Sequence, residues 1–306
     1  MTDTGPSASR LLRPPEPYQF GGSLRSLAMG AHDPCARFVG DTFWWATRTP
    51  DGPGTLALRR VGGDLVADCY GPGGGWVADR ADAVAGLRDD LTGFDRLAAG
   101  HPLVARLANL HRGLRLPATG QIFPRLLRAV LEQKVTGKEA FRAYSATVRR
   151  FGVPAPGPLP RLWAPPEPKV IASQPYWVFH PFGVEQRRAE TLRRAAVEAD
   201  RLERCADSAE ATRRLTAIAG IGPWTAAEVV RVAFGDPDAV SVGDYHIPNT
   251  VAWALAGEAR GDDARMLDLL EPFRGHRARV CVLLEAGGHH APRFGPRMPI
   301  RSFARF

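Results

Sequence analysis

Leu215–Asp244, LTAIAGIGPWTAAEVVRVAFGDPDAVSVGD, decides how this chain is read. Apolar Leu215 and Ile218 lead into the bend Gly220-Ile221-Gly222; an Ala/Val-rich stretch follows, then a Gly/Pro/Asp loop that ends in a lone carboxylate. The pattern predicts helix, tight bend, helix and loop. A Gly-x-Gly bend running into a helix exposes backbone N–H groups at the positive end of the helix dipole, which suits a phosphate group. Asp244 comes 22 residues after Gly222, far enough for the chain to return along the second helix and meet the same ligand. A phosphate clamp with an acid beside it points to chemistry on a nucleotide rather than binding alone.

Outward from this stretch, 306 residues suit two or three modest domains with ample core. No apolar run reaches 18 residues, so no membrane span is expected. Cys35, Cys69, Cys205 and Cys281 are too scattered for a zinc site or a disulfide framework and read as small buried hydrophobes. The net charge of +8 favours a polyanionic partner. Residues 1–100 carry 10 basic and 12 acidic side chains, net −2, so the remaining chain carries +10, on the side of the bend. Of the 40 cations 37 are Arg. A GC-rich genome produces the same bias, so the Arg count by itself does not indicate phosphate recognition.

The fold class expected is α+β: a small antiparallel β-sheet domain, then a mainly α-helical domain. From Ala36 to Tyr70, β-branched and aromatic runs alternate with Gly, Pro and Asp turns, which predicts antiparallel hairpins. A helix is expected over about 79–95, with Val84, Leu87, Leu91 and Phe94 on one stripe, and a long one over 123–151. Short helices are expected over 168–205, and further ones near 245–256 and 277–286. The boundaries drawn are 1–20, a disordered Pro-rich arm; 21–100, the sheet domain; 101–290, the helical domain; and 291–306, a basic tail. The opening MTDTGPSASRLLRPPEPYQF lacks a basic-then-apolar signal pattern, and a cytoplasmic location, near the nucleoid if the source is bacterial, is expected.

The segment GIGPWTA with its GDPDAVSVGDYHI loop resembles the helix-hairpin-helix DNA glycosylases, and is most similar to the 3-methyladenine DNA glycosylase II branch. The resemblance covers about 110–285 well and 36–100 faintly. It implies a monofunctional hydrolase that flips alkylated purines out of double-stranded DNA, removes them and leaves an abasic site, working as a monomer. It requires no cofactor, and the scattered cysteines rule against the four-cysteine iron–sulfur loop of some relatives. Asp244 takes the place of the catalytic aspartate. It also reads as the N-cap of the next helix, and the two roles are compatible because backbone N–H groups keep a carboxylate ionised. Pro223-Trp224-Thr225 stands where strand-cutting relatives carry a lysine nucleophile, so no lyase step is expected.

Electron-rich stacking of a cationic base is implied for Trp224, Tyr245 and Phe273, with core packing as the alternative for each. Gln133 falls where relatives place a Gln near the flipped base, though on its own it is an ordinary polar helix residue. His246 reads as a helix-start residue facing the site. Leu116, with Leu114 next, is the candidate wedge for the gap left by the base; a buried loop leucine is the alternative. Gly220, Gly222 and Thr225 are the expected DNA contacts. The carbonyls of Thr216, Ile218 and Ile221 match those that hold a monovalent cation in some relatives. A pocket tyrosine of the best-known relatives falls on Glu228, which leaves the damaged base open. The rival readings are a catalytically idle helix-hairpin-helix protein that binds DNA or senses lesions, and an oxidised-base glycosylase/lyase.

Overall fold

A computed structural model of the protein describes residues 5–292. Five strands, β1 (Ala8–Leu12), β2 (Ala36–Val39), β3 (Thr42–Thr49), β4 (Gly52–Val61) and β5 (Asp64–Tyr70), form one antiparallel sheet in the order β1-β5-β4-β3-β2. Three successive hairpins close over two residues each: Gly40-Asp41, Pro50-Asp51 and Gly62-Gly63. Such short loops fix the register, which puts Phe43 opposite Leu58 and Trp45 opposite Leu56 on one face. That face is buried, and each large side chain in it contributes about 1.5–3 kcal/mol relative to exposure.

Within the arm expected to be disordered, Ala8–Leu12 is instead the sheet's first strand. Leu11 pairs with Val66 and Leu12 with Leu65, while Leu12 and Tyr18 enter the sheet core. The apolar residues between the prolines complete an otherwise open sheet edge, which outweighs the Pro-rich composition. The basic tail lies outside the described residues from 293 onward.

The helix expected over 79–95 is broken. Short α1 (Phe20–Leu24), α2 (Gly74–Ala78) and α3 (Ala81–Val84) cover the sheet, and Gly86 then turns the chain away at φ +75°. A side chain at Gly86 would strike the Arg115 side chain, so glycine is required there. Leu91 and Phe94 join a different core, where α4 (Phe94–Ala98) and α5 (Pro102–Leu110) pack with three C-terminal helices. The chain therefore leaves the sheet unit near residue 86 rather than at 100.

The long helix expected over 123–151 is two, α6 (Phe123–Glu132) and α7 (Gly137–Phe151), separated by a bend in which Lys134 takes φ +53°. Thr136 and Glu139 form a reciprocal capping box that starts α7. A two-residue ladder, β6 (Val153–Pro154) with β7 (Trp163–Ala164), spans the Pro-rich break. Then come α8 (Pro168–Ala172), a 3₁₀ turn, α9 (Gln186–Val197), α10 (Ala199–Leu202), α11 (Ser208–Thr216) and α12 (Pro223–Ala233) around the largest core. The last helices, α13 (Ile247–Ala256), α14 (Asp263–Leu270) and α15 (Arg277–Ala286), start and stop close to expectation where it named them. Among the described residues no helix is long and apolar enough to cross a membrane.

A buried ion pair ties the segment that leaves the sheet unit to the last helix. Arg279 on α15 donates to both carboxylate oxygens of Asp89, at 2.9 and 2.5 Å, with both side chains 2% exposed. Asp89 also accepts the Leu116 N–H at 2.9 Å. Replacing one partner strands the other charge in a low-dielectric site. Asp89→Ala is expected to lower stability by about 3–5 kcal/mol in urea titration, whereas an exposed pair such as Arg274–Glu271 should change it by less than about 1 kcal/mol.

Candidate active site

The bend between α11 and α12 is anchored from below. Ile218 and Ile221 enter the largest core, and their N–H groups close successive turns on the carbonyls of Leu215 and Ile218, both at 3.0 Å. Gly220 sits at φ +99° against α9, where a β-carbon would lie 2.0 Å from the Thr191 hydroxyl. Gln133, in the bend after α6, donates its side-chain amide to the Gly220 carbonyl at 3.1 Å and to the Thr225 hydroxyl at 2.8 Å. Arg194 donates to the Ala219 carbonyl at 3.3 Å. The bend is thus held by α6, α9 and its own apolar residues.

Gly222 is the N-cap of α12. No side chain caps this end, Pro223 opens the first turn without an N–H, and no acidic residue stands in that turn. Space above Gly222 is open. This helix end offers N–H groups and a positive dipole to an anion. Gly220 and Gly222 form the bend at this helix end. Thr225 corrects its expectation: its hydroxyl is buried and taken up by Gln133, so its side chain serves the bend rather than DNA. Gln133 likewise spends its amide on the hairpin.

Asp244 meets this end of α12. Its Oδ2 accepts the indole N–H of Trp224 at 3.0 Å, and its Oδ1 accepts the backbone N–H groups of His246 and Ile247 at 2.7 and 2.9 Å. The carboxylate remains half-buried, so part of it stays open to solvent. The N-cap of α13 is His246 rather than Asp244, yet the Asp244 side chain still serves the start of that helix from two residues upstream. Asp238 pins the other end of the loop, accepting from the backbone N–H of Gly275 and Arg277 and pairing with the Arg277 guanidinium at 2.5 Å. Tyr245 projects into solvent, 84% exposed, with its ring edge-on to that of His246 at 4.9 Å.

The structure separates the aromatic candidates. Trp224 and Tyr245 flank Asp244, but Phe273 is 2% exposed inside the core of Val251, Met266 and Leu270 and is a packing residue. Leu116 and Leu114 are each 5% exposed; neither protrudes, so the wedge expectation is not met. Their loop is drawn inward by bonds to Asp89 and Ser23. The carbonyls of Thr216, Ile218 and Ile221 are neutral oxygens, a donor type that suits an alkali cation rather than a transition metal, although the Ile218 carbonyl already takes the Ile221 N–H.

Glu228 does not line an open pocket. It is buried one turn along α12 from Trp224, paired with Arg125 of α6 and, at 2.8 Å, with Arg231. Ser241 donates its hydroxyl to it at 2.6 Å. Burial opposes ionisation, but Arg231, Arg125 and the Ser241 hydroxyl together hold the carboxyl far below the usual range. Sequence reasoning missed this cluster because Arg125 lies about 100 residues from its partners on α12 and the loop after it. Lys134, expected on the solvated face of a helix, is exposed but lies in the bend next to Gln133. The capping-box residues Thr136 and Glu139 were the signal that α6 had already ended.

Comparison with known proteins agrees with this architecture. The 3-methyladenine DNA glycosylase from Archaeoglobus fulgidus superposes with a TM-score of 0.78 at 16% identity, over 91% of this chain and 98% of that one. The Clostridium acetobutylicum 8-oxoguanine glycosylase/lyase in its apo-form gives 0.71 at 12%, over 92% and 96%. Among curated proteins, "Putative DNA-3-methyladenine glycosylase YfjP" of Bacillus subtilis (strain 168) is 23% identical over 148 residues, which is 46% of this chain. The chain thus spans half the length of that relative. No protein-family model matches. The fold is that of the helix-hairpin-helix DNA glycosylases.

Gly220→Ala is expected to disrupt the bend, through the left-handed backbone and the clash with Thr191, at about 2 kcal/mol or more. Gly222→Ala, with open space at its β-carbon and an extended φ of −102°, should stay within about 0.5 kcal/mol of wild type. Equal losses of thermal stability in the two variants would contradict this assignment.

Proposed function

We propose that the chain is a DNA glycosylase that hydrolyses the N-glycosidic bond of alkylated purines, chiefly 3-methyladenine-like bases, in double-stranded DNA. The observation that carries this reading is the Asp244 carboxylate, held by the Trp224 indole beside an uncapped helix end. That helix end suits the DNA phosphate, and the acid then faces the neighbouring deoxyribose. The positively charged tract 101–306 supplies further phosphate contacts, with Lys134 and Arg194 beside the bend. A monovalent cation held by the hairpin carbonyls would add positive charge there. The relatives' printed activities, on 3-methyladenine and 8-oxoguanine, support base excision in general.

A purine cationic from alkylation leaves readily, because the electron pair of the breaking C1′–N bond neutralises it. Asp244 stabilises the oxocarbenium-like sugar and orients a water. The water oxygen bonds C1′, its proton passes to the carboxylate or to solvent, and the products are the free base and an abasic site. Trp224 gives its N–H to the acid, and its face together with exposed Tyr245 is available for stacking. No amine attacks C1′ in this scheme, so the enzyme is read as monofunctional.

Asp244→Asn is expected to slow base release from methylated double-stranded DNA by about 100-fold or more while leaving DNA affinity nearly intact. An idle binding protein predicts no release from wild type either, and a lyase predicts a borohydride-trapped adduct. Trp224→Phe keeps an aromatic face but removes the donor; the rate should drop roughly tenfold. Binding should weaken linearly in log–log plots against salt, with a steep slope.

A further inference from the structure

We propose that Glu228 and Ser241 are positioning residues for Asp244, a role that rests on the glycosylase reading above. Trp224 and Glu228 lie four residues apart on α12 and so share one face of the helix. Each makes one hydrogen bond to the same short segment: Trp224 to the Asp244 carboxylate, and Glu228 to the Ser241 hydroxyl. Ser241 closes the arrangement, because its carbonyl accepts the Asp244 N–H at 3.2 Å. The segment 241–244 is therefore fastened to one helix face at both ends.

Glu228 has no capacity left for proton transfer. Oε1 accepts from Ser241 and Arg231, and Oε2 from Arg125 and Arg231. Arg125 further donates to the Glu228 backbone carbonyl at 2.9 Å, tying this point of α12 to α6. The same α6 leads directly to Gln133, which grips the hairpin. The phosphate-facing bend and the acid are thus set against each other through one rigid pair of helices. Such a brace matters because small displacements of a reacting group are costly in rate.

Substituting Glu228 strands buried Arg125 and half-buried Arg231 and risks the fold, so the test uses Ser241. Ser241→Ala removes the hydroxyl link, and Ser241→Thr restores a hydroxyl. Two readouts are taken on the full chain: hydrogen–deuterium exchange over residues 240–247, and single-turnover base release from methylated double-stranded DNA. In the Ala variant the amides of Asp244, His246 and Ile247 should exchange faster, and release should slow by about 10- to 100-fold with DNA affinity within about twofold. The Thr variant should recover both. Unchanged exchange in Ala, failure of Thr to recover, or a wild-type release rate in Ala each overturns the proposal. If wild type releases no base but exchange responds as described, the brace stands and the glycosylase reading is what fails.

Discussion

A carboxylate partly open to water is held still by donors, and Asp244 has three of them. Two are backbone N–H groups at the start of the helix that follows it, a local arrangement any Asp two residues before a helix can reach. The third, the Trp224 indole, comes from the preceding helix twenty residues away. That bond fixes where α13 begins relative to α12, and everything the site can do follows from it. The acid then lies within hydrogen-bond reach of the second residue of a helix whose first turn carries no capping side chain.

α12 is suited to this part because it is held on several sides. Ala226, Val229, Val230 and Ala233 belong to the largest core, and Val232 reaches the sheet core. Its last carbonyls accept the N–H groups of Thr119 and Gly120. The loop after it leans on the third core through Val240 and Val242. The three apolar clusters therefore converge on one helix and its exit loop. A close-packed interior resists small deformations, so a group fastened to such a helix keeps its place.

The charges beneath the site have a cost. Arg125, Glu228 and Arg231 are taken largely out of water, and ion pairs of this kind contribute little net stability against an apolar replacement of the same shape. What they supply is directionality, since each bond defines an angle as well as a distance. The Arg279–Asp89 pair does the same between α15 and the segment that leaves the sheet unit, where Asp89 also receives the Leu116 N–H. Specific polar contacts thus set the relative placement of parts that apolar packing alone leaves less defined.

The sequence by itself determined the elements whose causes are local. Two-residue Gly and Asp turns gave the hairpins of β2–β5, and the Gly220-Ile221-Gly222 bend with flanking apolar residues gave the α11–α12 pair. Asp244 was legible as the acid of the loop because its spacing from the bend is short-range information. Tertiary structure alone decided the rest. The strand at Ala8–Leu12 forms because an open sheet edge accepts it; Phe273 is withdrawn because a core built by other helices encloses it, and Leu116 because its loop is bonded to Asp89. The Arg125–Glu228 contact joins residues more than a hundred positions apart. Side-chain partners at such separations are selected by how the helices pack, and no period or spacing along the chain encodes that choice.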